Sequence, residues 1–316
     1  MDAAPTFREV LEAAARIAPY VHRTPVVSSA TLDRELGASV FFKCENLQKV
    51  GAFKARGATN AVMALGDEAC ARGVITHSSG NHGAALAFAA GQRGIRCTVV
   101  MQEGASPLKA AAIRGYGAEI VTCPVGGREQ TTERLRAESG ATLVHPFEHP
   151  HVIAGQGTAA LELLEDVPDL DLVIAPIGGG GIMAGTCLSV AARRPEATLV
   201  GVEPLAADDA FRSLRDGIRY PGVPAPATRA DGLLTGIGAL PFAILQQHGV
   251  EVVCVGEPEM LEACRFHLLR MKLLVEPSSG VVLAALRTLG DRIRGRRVGA
   301  ILTGGNTDLS WWSAAG

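Results

Sequence analysis

Apolar positions along this chain fall into two alternating rhythms. Near the start, Phe7, Val10, Leu11, Ala14 and Ile17 recur at helical spacing, and Thr6 with Glu9 fits a capping box ahead of them. Further on, short β-rich runs predict strands near 40–44, 73–77, 96–101, 118–123, 141–145, 171–177, 198–202, 250–255 and 298–303. Between most of them lie alanine-rich or leucine-rich stretches of helical length, at 82–93, 152–165, 181–194, 259–273 and 280–289. This alternation predicts an α/β fold of mostly parallel strands with helices on both faces. Nine strands are many for one open sheet, so two twisted sheets in two lobes are expected. The 316-residue length also exceeds what a single core usually fills. The stretch 217–232, the richest in Pro and Gly, reads as an excursion rather than a boundary.

Composition narrows the function. The formal net charge is −2 and there is no basic tract, which argues against a nucleic-acid partner. No apolar run reaches the length of a membrane span, and Met1–Pro5 lacks the order of a signal peptide. Seven scattered cysteines form no C-x-x-C pair and read as reduced thiols of a cytoplasmic protein. Lysine is scarce: Lys43, Lys49, Lys54, Lys109 and Lys272 are the only five among 30 basic residues. A lysine kept under that bias suggests chemistry a guanidinium cannot perform, such as imine formation with an aldehyde. Lys54 sits in Gly51-Ala52-Phe53-Lys54-Ala55-Arg56-Gly57, where small neighbours let a bulky group approach. Taken alone, it reads first as a solvated surface lysine, and only the rest of the chain reverses that.

Ligands of open α/β sheets bind beyond the carboxyl ends of strands. Three predicted loops fall there. Ser78-Ser79-Gly80-Asn81-His82-Gly83 places hydroxyls and an N-cap candidate, Asn81, before the helix 82–93. It reads as a carboxylate site or as an ordinary capped helix start. Gly178-Gly179-Gly180-Gly181 precedes the helix 182–194, and four glycines at such a junction point to a phosphate. It is not a Walker A loop. Gly179, Gly181 and Ala184 also fit a dinucleotide fingerprint, with Glu203 as its ribose-binding acid, so a nicotinamide-dependent oxidoreductase is the competing reading. Thr303-Gly304-Gly305-Asn306 offers a hydroxyl to a ring nitrogen, or is a tight turn. Apart from these, Glu203, Ala207, Asp208 and Asp209 gather oxygen ligands suited to Mg²⁺ or Ca²⁺, or form a solvated acidic loop. His145, Glu148, His149 and His151 are separated by Pro146 and Pro150, which prevents a helical two-histidine zinc face.

In combination these segments resemble the pyridoxal-phosphate enzymes of fold type II, in their serine/threonine dehydratase and serine racemase branch. The motifs run in order: Phe42-Lys43-Cys44-Glu45-Asn46 into Gly51-Ala52-Phe53-Lys54, then Thr76–Gly83 and Val152–Thr158. The tetraglycine, Met271–Pro277 and Thr303–Asn306 follow. The resemblance implies an active site in the cleft between the lobes. It implies a large cofactor-binding domain from 1–49 and 152–316, and a small domain, 50–151, carrying the lysine and the carboxylate loop. Lys54 would hold pyridoxal 5'-phosphate as an imine, with Phe53 near the ring. Gly178, Gly179, Gly180, Gly181 and Ile182 would bind its phosphate, Asn81 its ring hydroxyl and Thr303 its ring nitrogen. Ser78, Ser79, Asn81 and His82 would bind the substrate carboxylate. Glu203, the Ala207 carbonyl and Asp209 would hold a divalent cation (Mg, Mn or Ca).

The implied reaction converts L-serine, L-threonine or a related β-hydroxy amino acid to a 2-oxo acid and ammonia. Lys54 removes the Cα proton and the β-hydroxyl leaves, protonated through the cofactor phosphate. A 3-hydroxyaspartate dehydratase and a serine racemase are the alternatives in the family. In racemases of this branch a serine reprotonates Cα, and Ser79 stands in the matching place. A neutral hydroxyl such as Thr303, rather than a carboxylate, would keep the pyridine a weaker electron sink and favour β-elimination. A homodimer is expected. Phe147 replaces an asparagine of serine racemases and tilts the choice toward a dehydratase. Many relatives carry Gln where Ala84 stands and Ser where Thr303 stands. Lys49 and Lys272 match positions that bind nucleotide in racemases, yet Ala30 and Val50 replace hydroxyls there, so nucleotide activation is not expected. Nor is feedback inhibition by isoleucine, since the chain ends at Gly316.

Overall fold

The structure is a computed structural model that describes residues 3–78, 80–105 and 107–312. Ser79 therefore lies outside the described residues. Two sheets form, as the alternation of rhythms predicts. The larger contains β1 (Val26–Val27), β2 (Ser39–Cys44), β7 (Leu172–Pro176), β8 (Thr198–Pro204), β9 (Glu251–Val255) and β10 (Arg297–Leu302). The smaller contains β3 (Val74–His77), β4 (Cys97–Gln102), β5 (Glu119–Cys123) and β6 (Thr142–Leu143). The spatial orders are β1-β2-β10-β7-β8-β9 and β5-β4-β3-β6. Every pairing is parallel except the short β1–β2 contact at one edge. Because β2 pairs with β10, the first 44 residues complete a sheet otherwise built from the C-terminal half.

Strand burial explains the composition of the runs. β7 is buried at all five positions (Leu-Val-Ile-Ala-Pro), as expected of a central parallel strand covered on both faces. The large sheet is covered by two apolar clusters, one around Phe42, Ile174 and Val282, the other around Val173, Met183 and Ile301. The small sheet has its own core around Val74, Leu86 and Val99.

Three expectations need correction. The strand expected at 141–145 shortens to Thr142–Leu143. Pro146 has no N–H to donate, and the Nδ1 of His145 accepts the N–H of Glu148 at 3.0 Å, which curls the chain away. The helix expected over 259–273 is α-helical only over Glu257–Phe266. It continues as a π-type turn over His267–Met271 and stops at Lys272, whose φ is +61°. The helix after β3 begins at Asn81, so Gly80 is the N-cap and Asn81 is the first helical residue. The N-terminal capping box does form: the Thr6 N–H donates to Glu9 Oε2 at 2.7 Å.

A buried charge cluster ties the N-terminal segment to the lobes. Arg56 donates to both Glu45 oxygens at 2.7 and 2.8 Å and to both Glu162 oxygens at 2.7 and 2.8 Å. Lys43 donates to Glu162 at 2.6 Å and to the Thr24 carbonyl at 2.7 Å. Two cations and two carboxylates balance, so each buried charge has its opposite. Replacing Arg56 by Leu would leave Glu45 and Glu162 facing each other in the core. We expect Arg56→Leu to lose about 3–5 kcal/mol in urea unfolding, against well under about 1 kcal/mol for the surface change Arg134→Leu.

Candidate active site

The carboxyl ends of β3, β7 and β10 open into one cavity of about 670 Å³. Lys54, Phe53, Ser78, Asn81, His82, the glycines 179–181, Ile182 and Thr303 all line it. Gly178 lies directly before this stretch with φ +51°. Segments from the first and last fifths of the chain thus share one cleft, and the geometry of each follows from local chemistry.

Lys54 opens the helix Lys54–Met63. Its entry is fixed by backbone: the Phe53 N–H donates to the Thr303 carbonyl at 2.9 Å, and the Gly305 N–H to the Gly51 carbonyl at 3.0 Å. The Lys54 amine donates to the Pro146 carbonyl at 2.8 Å and lies 5.0 Å from the centre of the Phe53 ring. The amine faces the cleft, yet protein crowds it. Desolvation pushes its pKa down to about 8, opposed by the charge of Glu276. A lysine with a sizeable neutral fraction near neutrality can attack an aldehyde.

The tetraglycine turns on two left-handed residues, Gly178 (φ +51°) and Gly180 (φ +88°). The helix Gly181–Arg193 follows, so its unpaired N–H groups and dipole point into the cavity. A side chain at Gly179 would overlap the Phe147 ring, and a Cβ at Gly180 would lie 2.5 Å from Pro241. Glycine is required there for close approach as well as for backbone angle. Ile182 packs with Phe53 and Ala159 beneath the loop.

Asn81 is held from two sides. Its Nδ2 donates to Glu276 at 2.9 and 3.1 Å, and its Oδ1 accepts from Asn306 Nδ2 at 2.9 Å. Asn306 Nδ2 also donates to the Val50 carbonyl at 2.7 Å, which fixes the orientation of both amides. Glu276, quoted in a motif but given no task by the sequence, is thus a site residue. Burial, then the nearby charge of Asp231, pushes its carboxyl up to about 7. Its sequence signal was an acid directly before Pro277, the first residue of a helix at the end of the cleft.

His82 departs from expectation. Its ring is buried, and Nε2 lies 2.9 Å from the Val144 carbonyl, so Nε2 carries the proton. Nδ1 then presents only a lone pair and has no partner among the described residues. Burial and the Lys54 charge hold the ring pKa well below its usual value. A neutral ring in this tautomer cannot donate to a carboxylate. What the position retains is its backbone N–H in the first turn of the helix Asn81–Arg93.

Thr303 Oγ1 lies 3.0 Å from Ser279 Oγ. Ser279 in turn accepts the Gly304 N–H at 2.8 Å and donates to the Gly304 carbonyl at 2.9 Å. Glu203 does not line the cleft. It is buried beside Asp209, accepting the Phe211 N–H at 2.8 Å and the Ala210 N–H at 3.3 Å, which removes it from the nicotinamide reading. Asp209 accepts the Ile237 N–H at 2.8 Å. Among the described residues no group of three or more His, Cys, Asp and Glu side chains is placed to hold a metal ion.

Comparison with known proteins agrees with this geometry. Residues 17–304 match the family described as pyridoxal-phosphate dependent enzyme. The serine racemase of Dictyostelium discoideum is 44% identical over 310 residues, covering 96% of each chain. The beta-hydroxyaspartate dehydratase of Paracoccus denitrificans is 45% identical over 307 residues, covering 96% of this chain and 97% of the relative. The crystal structure of a T.th. threonine deaminase superposes with a TM-score of 0.92 at 43% identity, over 97% of this chain and 100% of that one. The family match and relatives of this kind place the chain among the fold type II pyridoxal-phosphate enzymes, in the serine/threonine dehydratase and serine racemase branch.

Proposed function

We propose that this enzyme is an ammonia-lyase that removes water from a β-hydroxy amino acid, giving a 2-oxo acid and ammonia. One observation carries the reading: Lys54, Ser78, Asn81, His82, the glycines 179–181 and Thr303 line a single cavity. Pyridoxal phosphate, when bound, supplies an electron sink that lets the substrate Cα–H bond ionise. The residues present fit it. The glycine loop exposes N–H groups where a Cβ on Gly179 would collide with Phe147 and one on Gly180 with Pro241, and the following helix dipole favours a dianion. Gly178, Gly179, Gly180, Gly181 and Ile182 would hold the phosphate, and Phe53 would lie beside the ring.

Lys54 acts twice, as the amine that binds the aldehyde and as the base that takes the Cα proton. A pKa near 8 suits both tasks, because the neutral form is accessible without loss of basicity. Ser78 and the backbone N–H of His82 bind the substrate carboxylate. Asn81, held between Glu276 and Asn306, would bind the cofactor's ring hydroxyl. If Ser279 donates to Thr303 Oγ1, the Thr303 hydroxyl keeps its own proton for the cofactor's ring nitrogen, the role we assign to it. We assign Ser79 the proton on the opposite face of the reacting carbon, and the domains to 1–49 with 152–316 and to 50–151. Phe147 packs over Gly179 where racemases carry asparagine, which supports elimination over racemisation.

A divalent cation at Glu203, the Ala207 carbonyl and Asp209 is also proposed. Burial and then Asp209 push the Glu203 carboxyl up to about 8, and burial raises Asp209. Two desolvated neighbouring carboxylates are a site whose charge a cation would neutralise. A homodimer in the cytoplasm completes the assignment. No helix among the described residues is long and apolar enough to cross a membrane.

Borohydride reduction of the yellow holoprotein should bleach it and leave the pyridoxyl label on Lys54 by peptide mass spectrometry; a label elsewhere sinks the reading. Lys54→Ala should lower 2-oxo acid formation by at least about 10³-fold. In the cofactor-free protein the amine pKa, about 8 when folded, lies below its unfolded value of 10.5. The unfolded chain then binds more protons between those values, so stability rises with pH across that window. Lys54→Met should therefore stabilise the cofactor-free protein at pH 7, by on the order of 3 kcal/mol, with the gain shrinking as pH climbs from 8 to 10.5. Mg²⁺, Mn²⁺ or Ca²⁺ should raise the melting temperature more at pH 8 than at pH 6, because at pH 6 the cation must displace the Glu203 proton. Equal shifts in Glu203→Gln would remove the cation site.

A further inference from the structure

Glu148 stands outside the cleft yet holds one of its walls. Its neighbours His145, Pro146 and Phe147 line the cavity, and Glu148 does not. Its side chain reaches the helix Ala239–Gln247, where Glu148 Oε1 accepts the Leu240 N–H at 2.8 Å. That helix begins after Gly238, which has no side chain to satisfy the first-turn N–H groups. A carboxylate from 92 residues earlier in the chain takes the place of the cap. The positive end of the helix dipole favours it there. Leu240, Ile244 and Leu245 bury this helix in the cluster around Val173, Met183 and Ile301, so Glu148 is tied to an element fixed on the large sheet.

The segment that ends at Glu148 has little freedom. His145 Nδ1 accepts the N–H groups of Glu148 at 3.0 Å and of Phe147 at 3.4 Å, which folds 145–148 into a tight turn. Pro146 adds a fixed φ. The Phe147 ring fills the space over Gly179 and Gly238: a Cβ on Gly179 would collide with it, and one on Gly238 would lie 3.0 Å from it. The same Cβ on Gly238 would lie 3.0 Å from Glu148 Oε2, so ring and carboxylate bracket one glycine. Just beyond Glu148, Pro150 opens the helix Pro150–Asp166. These contacts hold the Pro146 carbonyl in place. It accepts the Lys54 amine at 2.8 Å and is the hydrogen-bond partner of that amine among the described residues.

We propose that Glu148 is a positioning residue for Lys54, acting through the Pro146 carbonyl. The inference rests on the ammonia-lyase reading, in which the free Lys54 amine takes the Cα proton, and it adds what aims that amine. A neutral amine carries two N–H bonds and one lone pair, staggered about the Cε–Nζ bond. A carbonyl can only accept, so it holds one N–H and denies that direction to the lone pair. Fewer orientations of the base then miss the substrate. Without the Leu240 contact the turn and its carbonyl are free to shift, and the amine rotates in the cleft. The lysine itself is unaltered, so the defect falls on proton transfer rather than on substrate binding. In sequence Glu148 stands among His145, His149 and His151, a group without a helical metal face, and this contact gives it a task.

The test uses Glu148→Leu, which removes the acceptor, and Glu148→Gln, which keeps it without the charge. In the cofactor-free protein, amide hydrogen exchange at Phe147, Glu148 and Leu240 should quicken by about tenfold or more in Glu148→Leu and stay near wild type in Glu148→Gln. In the holoenzyme, rates are counted per Lys54 that takes the borohydride label, which removes misfolded molecules from the count. On that scale Glu148→Leu should lower kcat for 3-hydroxyaspartate by about tenfold or more with KM within about twofold, and should slow exchange of the L-alanine Cα proton with heavy water by the same factor. L-Alanine has no β-hydroxyl to lose, so its exchange reads proton transfer alone. Glu148→Gln should restore most of both rates. If Glu148→Leu fails to fold, Glu148→Ala is read in the same way. Unchanged amide exchange in the apolar variant, or unchanged rates per labelled site, overturns the positioning role, as does a loss in Glu148→Gln equal to that in Glu148→Leu. A wild type that yields no 2-oxo acid from any β-hydroxy amino acid, while alanine exchange still slows in Glu148→Leu, would instead overturn the lyase reading and leave the positioning role standing.

Discussion

Close contact between three helix backbones fixes where Lys54 stands relative to the tetraglycine loop. A Cβ at Gly155, in the helix Pro150–Asp166, would lie 2.7 Å from the Gly57 Cα in the lysine helix. A Cβ at Gly157, two residues on, would lie 2.8 Å from the Gly185 carbonyl oxygen in the helix after the tetraglycine. One helix therefore serves as a spacer with Lys54 on one side and the tetraglycine loop on the other. Any side chain at these contacts would push the two functional elements apart, and misplacement by an ångström is costly to positioned chemistry. The buried Arg56–Glu162 pairs clamp the lysine helix to this spacer, so packing and electrostatics fix that contact together.

Charge is treated in opposite ways on the two sides of that spacer. Beneath it, Lys43, Arg56, Glu45 and Glu162 are matched group for group and fully hydrogen-bonded. In the cleft the balance is incomplete: Lys54 is desolvated toward neutrality, Glu276 is pushed up, and Arg128 and Arg219 have no ion-pair partner among the described residues. Perturbed groups gathered in one cavity are the signature of a working site rather than of a structural ion-pair network.

Much of this was legible in order along the chain. The β-rich runs located the strands of both sheets to within a residue or two, apart from the two-residue β1 and the shortened β6, because fully buried parallel strands read as continuous apolar stretches. Four glycines after a strand, and a lysine among small residues, announced the cleft. Other features were invisible for definite physical reasons. The tautomer of His82 depends on a carbonyl 62 residues away, and the task of Glu276 depends on Asn81, 195 residues away. The Gly155–Gln156–Gly157 motif matched relatives but revealed its purpose only when helices were laid side by side. Asn81 looked like a cap because Asn favours that position, but its amide is drawn instead to Glu276 and Asn306.

The scarcity of lysine acquires a second meaning from where the lysines sit. Lys43 is wholly enclosed and neutralised, and Lys109 is engaged with Asp231. Apart from Lys54, only Lys49 and Lys272 leave a side-chain amine without an acidic partner among the described residues. A free carbonyl reagent, the cofactor itself included, condenses with any accessible amine. A surface furnished with guanidinium in place of ammonium groups gives such a reagent few wrong addresses, so the molecule is guarded against adventitious modification by the compound it needs.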